Sequence, residues 1–142
     1  MKYEWTNGEY AISTDRARID LEVVKNYLQN DAYWAKGRAS EIIERSIQHS
    51  ENFGVYRGVQ QVGFARVVTD YATFAYLCDV FILPSEQGHG LGKWLMETLL
   101  AHPALQGLRW YLLTRDAHDL YKQFGFRELQ NPEGSMERPR NL

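Results

Sequence analysis

The chain has 142 residues, 44% of them hydrophobic and 24% charged, with a formal net charge of −2 and one cysteine. This length suits a single domain, 1–142, that buries roughly 70% of the surface its unfolded chain would expose. The charge balance gives no global attraction to nucleic acid, no apolar run approaches the roughly 20 residues of a membrane span, and a lone Cys78 excludes an internal disulfide.

The start, MKYEWTNGEY, carries no apolar leader, so a cytoplasmic monomer or homodimer is expected. Tyr10–Thr14 reads as a short strand. Asp20 is placed to cap a helix over LEVVKNYL, with Leu21, Val24 and Leu28 on one face. An irregular stretch, DAYWAKGR, leads to Ser40 and a second helix whose stripe is Ile42, Ile43 and Ile47. Three strand-like runs follow, Phe53–Arg57, Val62–Val68 and Thr73–Leu83. Their connections are too short for crossovers, so they form an antiparallel meander. Pro84 ends the third. After a glycine-rich stretch comes a helix, Leu91–His102, stopped by Pro103. Arg109–Thr114 is a buried strand, Ala117–Phe124 a helix ended by Gly125, and FRELQ a last strand. The order is β-α-α-β-β-β-α-β-α-β, an α+β layer structure.

The stretch EQGHGLGKWLMETLL sets Gly88, Gly90 and Gly92 at alternate positions before a helix. A helix start offers free N–H groups and a partial positive charge, and glycines let a ligand approach the main chain. The alternative is a plain turn. Neither G-x-x-x-x-G-K-[ST] nor G-x-G-x-x-G fits. Q-x-x-G-x-G does fit, as Gln87-Gly88-His89-Gly90-Leu91-Gly92. With Ile82-Leu83-Pro84 before it and Leu120-Tyr121-Lys122-Gln123-Phe124-Gly125-Phe126 after it, the pattern resembles the GNAT superfamily, the Gcn5-related N-acetyltransferases.

The resemblance covers nearly the whole chain in element order and is specific over Asp79 to Phe126. It implies a three-layer α/β/α fold whose central mixed, mostly antiparallel sheet splays at the strands ending near Leu83 and Thr114. It also implies acetyl transfer from acetyl-CoA to a primary amine of a small molecule or peptide, by direct attack in a ternary complex. The other reading is a non-catalytic acyl-CoA-binding module. By the resemblance, the amides of Gln87, Gly88, His89, Gly90, Leu91, Gly92 and Lys93 hold the CoA pyrophosphate, and the main chain of Phe81, Ile82 and Leu83 pairs with pantetheine. The loop around Tyr33, Trp34 and Arg38 walls the acceptor site.

The residues themselves leave choices open. Tyr121 is either a core residue or the acid that protonates the leaving sulfur, since a phenol is protonated at neutral pH. Asp79, a carboxylate inside the apolar run TFAYLCDVFIL, is either the base or amine anchor or one half of a salt bridge. It is expected to share a face with Phe81 and Leu83, opposite Cys78, Val80 and Ile82. His118 is the second candidate base. Tyr33 and Trp34 cover the acceptor or anchor the core, and Arg38 binds a carboxylate or is solvated. Tyr56, Arg66 and Asp70 are further candidates to face the cleft. His49, His89 and His102 have no metal-ligand spacing, so no metal is expected.

Overall fold

A computed structural model describes residues 1–140; the last two residues of the expected 1–142 domain lie outside the described residues. Six strands form one sheet in sequence order: β1 (Glu4–Asn7), β2 (Tyr10–Ser13), β3 (Glu51–Arg57), β4 (Gln60–Thr69), β5 (Phe74–Ile82) and β6 (Arg109–Leu112). Neighbours pair antiparallel except β5 and β6, which run parallel around the crossover helix α3 (Leu91–Ala101). Helices α1 (Leu21–Asn30) and α2 (Ser40–Gln48) cover one face, over Phe64 and Phe81. On the other face, α3 and the short α4 (His118–Lys122) pack over Phe53, Val67 and Leu77. These are the three expected layers. Among the described residues, no helix is long and apolar enough to cross a membrane.

Local chemistry explains most boundaries. The Asp20 carboxylate accepts the N–H groups of Glu22 (3.1 Å) and Val23 (3.3 Å), capping α1 as expected. Ser40 does not cap α2. The N-cap is Ala39, and the Ser40 hydroxyl instead accepts Gln29 Nε2 at 3.1 Å. Asp70 belongs to a turn and not to the cleft. It accepts the N–H groups of Ala72 (2.9 Å) and Thr73 (2.7 Å) and the Thr73 hydroxyl (2.6 Å), which together hold its carboxyl well below the usual range. Tyr56 lies buried beneath the Arg18 guanidinium, away from the cleft, and burial pushes its phenol up to about 12.

Two expectations about strands are corrected. Glu4–Asn7 is a strand that pairs with Tyr10–Ser13 across a two-residue turn at Gly8–Glu9. At the other end, FRELQ is not a strand. Phe126 and Leu129 are its two partly buried residues, three positions apart. A period of two would turn them to opposite faces, so a regular strand would expose one of them.

A third departure shapes the site. Phe64 pairs with Phe81, but Arg66 pairs with Cys78, so β5 carries one residue more than β4 between them. This is a β-bulge, and Asp79 sits in it at φ 55°. Directly paired residues share a face, so Cys78 lies on the same face as Arg66. The bulge then turns Asp79 toward that face too, since Arg66 Nε meets its carboxylate at 2.9 Å. The expected opposition of Cys78 and Asp79 therefore fails. Beyond the bulge the expected alternation resumes, with Phe81 and Leu83 toward α1 and α2 and with Val80 and Ile82 toward α3.

Candidate active site

Strands β5 and β6 pair only from Phe74–Arg109 to Leu77–Leu112. Past that point β5 runs on to Ile82 without a neighbour on its β6 side, and the two strands splay. Main-chain groups of a strand alternate in direction. The Leu83 N–H donates to the Val62 carbonyl at 2.8 Å, toward β4. Phe81, two residues earlier, points the same way, and Val80 and Ile82 point into the splay. Of the three residues expected to offer main-chain groups there, only Ile82 does so; Leu83 is further committed, its carbonyl accepting the Glu86 N–H at 2.9 Å. The Ile82 carbonyl accepts Gln87 Nε2 at 3.0 Å. Val80 also faces the splay, whereas the resemblance marks only the residues next to Pro84.

The chain turns at Pro84–Glu86 and enters α3 through the glycines. Gly88 and Gly90 take φ of 86° and 77°, values that side chains with a Cβ rarely adopt. Gly90 is the N-cap and has no side chain to offer, and the first intrahelical bond runs from Trp94 N–H to the Gly90 carbonyl (3.1 Å). The amides of Leu91, Gly92 and Lys93 are thus left for a ligand, in the positive field of the helix start. A Cβ built on Gly88, Gly90 or Gly92 meets no atom of the chain within 4 Å. The loop is fastened from behind by Glu86, only 5% exposed. Its carboxylate accepts the Tyr10 hydroxyl (2.7 Å) and Arg57 Nη1 (3.1 Å). The Tyr10 bond first, then Arg57, hold it below the usual carboxylate range. Neither Glu86 nor Tyr10 stood out in the sequence, because 76 residues separate them.

One cavity of about 950 Å³ joins this loop, the open edge of β5, Tyr121 and the α1–α2 connection. Burial first, and then Tyr33, raise the Tyr121 phenol above its ordinary value of 10.0. The α1–α2 connection is fixed by Gln29, whose Nε2 donates to the Arg38 carbonyl (2.9 Å). Tyr33 reaches across the cavity mouth: its hydroxyl accepts the Arg115 N–H (3.0 Å), and the Arg115 guanidinium stacks 3.8 Å over its ring.

Asp79 is the hub of this end. Its Oδ1 accepts Trp34 Nε1 (2.9 Å) and Arg38 Nη1 (3.2 Å), and its Oδ2 accepts Arg38 Nη1 (3.0 Å) and Arg66 Nε (2.9 Å). A carboxylate has about four lone-pair sites, and here all are engaged. The geometry thus speaks against Asp79 as base or amine anchor and for the salt-bridge alternative. Arg38, expected either to bind a carboxylate or to be solvated, is partly committed to Asp79 and its side chain is only 18% exposed. His118 borders a separate cavity beside Trp110 and Glu128. Burial pushes the Cys78 thiol up to about 11, so it is not poised as a nucleophile. Among the described residues, no three His, Cys, Asp or Glu side chains gather as a metal site.

Residues 48–128 match the family model of the acetyltransferase (GNAT) domain. The chain belongs to the GNAT acetyltransferase family. A Gibberella zeae protein named, by inference, an acetyltransferase is 34% identical to it over 92% of this chain and 86% of that one. A Xanthomonas campestris crystal structure, also assigned by inference to GNAT acetyltransferases, superposes with a TM-score of 0.90 at 45% identity, covering 92% and 93% of the two chains. A Clostridium acetobutylicum structure solved with acetyl-CoA shares the fold at a TM-score of 0.64 and 12% identity, over 98% and 96%. Acyl-CoA-dependent acetyl transfer is the activity of this GNAT domain. Its structure brings together Tyr121, the glycine loop, Ile82, Tyr33, Trp34, Arg38 and Asp79, and leaves His118, Tyr56 and Asp70 outside that cavity.

Proposed function

We propose that this GNAT domain moves the acetyl group of acetyl-CoA to the nitrogen of a primary amine, on a small molecule or a peptide, by direct attack in a ternary complex. The observation that carries the reading is the single cavity that runs from the uncapped start of α3, along the open edge of β5, to Tyr121 and Trp34. The open space around Gly88, Gly90 and Gly92 fits close approach of a pyrophosphate to the main chain. The amides of Gly88, His89, Gly90, Leu91, Gly92 and Lys93 form this cradle, and Lys93 adds a charge; the Gln87 amide, also expected there, instead donates to the Pro84 carbonyl at 3.3 Å. Val80 and Ile82 pair through the main chain with the pantetheine arm. Acetyl-CoA supplies an activated thioester. Tyr121 donates its phenolic proton to the leaving sulfur as the C–N bond forms and the C–S bond breaks. Tyr33, Trp34 and Arg38 border the acceptor, and Asp79 positions the latter two. We place the reaction in the cytoplasm, where a lone thiol stays reduced.

The test is thiol release from acetyl-CoA across a broad panel of primary amines. Acetyl-CoA binding without thiol release from any of them would overturn transfer in favour of non-catalytic acyl-CoA binding.

Gly92 gives a sharper test of the donor cradle. Gly92→Ala should stabilise α3 by up to about 1 kcal/mol, since the position is helical and open. The same methyl group stands where the pyrophosphate must approach, so acetyl-CoA affinity should fall severalfold. Calorimetric binding and a thermal melt, read together, check the opposed signs. A variant both more stable and equally tight would move the pyrophosphate elsewhere.

Protonation sets the pH profile. With the lone pairs of Asp79 engaged, the amine loses its proton to solvent, so kcat/KM should rise as the acceptor amine deprotonates. Tyr121 must keep its proton, and its pKa lies above 10.0, so the alkaline fall comes only beyond that pH. An acidic limb that does not follow the acceptor amine and that Asp79→Asn abolishes would restore Asp79 as the base.

A further inference from the structure

Arg38 and Arg66 both turn to Asp79, and among the described residues neither has another acidic partner. The side chains are 18%, 13% and 2% exposed for Arg38, Arg66 and Asp79. Two guanidinium groups against one carboxylate leave one positive charge uncompensated on the cavity wall, an arrangement that favours an anion there. Donors remain to receive one. Arg38 meets Asp79 through Nη1 alone, which leaves Nε and Nη2. Arg66 gives Nε to Asp79 and Nη1 to the Ser50 hydroxyl (3.0 Å), which leaves Nη2. Both line the cavity, among the aromatic faces of Tyr27, Tyr33, Trp34 and Tyr76.

The other acids on the cavity do not cancel this charge. Glu86 is bound by Arg57 at the loop end, and exposed Asp116 lies 3.8 Å from Arg115. The pyrophosphate is assigned to the α3 start, and so it does not occupy the arginine pair.

We infer that the acceptor is a primary amine that carries a carboxylate on an apolar or aromatic body, its carboxylate received by Arg38 and Arg66. The guanidinium fork matches a planar carboxylate, and the aromatic walls take the body. The same positive charge repels polyamines and lysine-rich peptides. The inference rests on the acetyl-transfer reading and narrows it to a substrate class.

The experiment compares matched acceptors at saturating acetyl-CoA: phenylalanine, leucine and methionine, their carboxamides, and the corresponding amines lacking the carboxyl group. For at least one body, kcat/KM for the free carboxylate should exceed that of its two relatives by roughly tenfold or more, the scale of a charge-assisted hydrogen bond. Arg38→Gln should collapse that ratio, and Arg38→Lys, which keeps the charge without the fork, should retain part of it. A binding readout independent of turnover is thermal stabilisation of the wild-type protein with CoA. The N-acetylated carboxylate should raise the melting temperature more than the N-acetylated carboxamide. Equal or better turnover of the carboxamides and decarboxylated amines for every body overturns the carboxylate assignment and leaves acetyl transfer standing. No thiol release from any amine overturns both.

Discussion

Replacing Tyr121 by Phe is expected to lower kcat by roughly 10²- to 10⁴-fold, the range supplied by a positioned general acid, while acetyl-CoA affinity stays in place. The substitution removes one oxygen and keeps the ring, which packs edge-on against Phe126 with centroids 5.9 Å apart. Stability should therefore move little, and the loss should fall on turnover alone. Steady-state kinetics beside calorimetric acetyl-CoA binding separate the two. The alkaline limb of the pH profile should vanish with the hydroxyl. A variant that retains the wild-type kcat would leave Tyr121 as a core residue and nothing more.

The second large effect is on stability. Asp79→Asn preserves the shape of the side chain and tolerates the left-handed backbone of the bulge. It removes the charge that faces two guanidinium groups. Breaking one side of a buried pair costs roughly 3–5 kcal/mol, because the remaining charges stay buried. In a domain of this size that lowers Tm by on the order of 10 °C or more. At a temperature where the variant remains folded, the acceptor KM should rise, since Trp34 and Arg38 lose the carboxylate that orients them. A melt within two or three degrees (~1 kcal/mol) of the wild type would show that Asp79 does not anchor this wall. A large fall in kcat with unchanged Tm and acceptor KM would return it to the chemistry.

What could be read from the sequence follows the range of the interactions. The cap at Asp20, the stop at Pro103 and the turn chemistry of the glycine loop depend on residues a few positions apart, and all were legible. The glycine loop of the proposed donor end is built from such local features and is legible, whereas Val80 and the Glu86–Tyr10 brace are not. Nor is the acceptor end. Trp34 and Arg38 lie 45 and 41 positions from Asp79, and nothing in either segment advertises the other. The bulge was hidden for a different reason. TFAYLCDVFIL is apolar on both faces, so one extra residue leaves no break in the hydropathy pattern, and the face of Cys78 was assigned by a period that the backbone interrupts. Glu4–Asn7 is short, polar and at the sheet edge, where burial leaves little signature. FRELQ has strand-like composition, but the spacing of Phe126 and Leu129 selects an irregular path.

The Glu86 carboxylate ties the loop before α3 to Tyr10 on β2 and to Arg57 on β3. Glu86 lies within residues 48–128 matched by the family model, and Tyr10 lies outside them. The proposed donor cradle is thus braced by the N-terminal hairpin, a part of the chain that lines neither the proposed thioester site nor the proposed acceptor site. Thermodynamic linkage makes this brace reciprocal. Whatever loosens the hairpin from the sheet weakens the hold on the donor, and a seated donor tightens the hairpin by the same free energy.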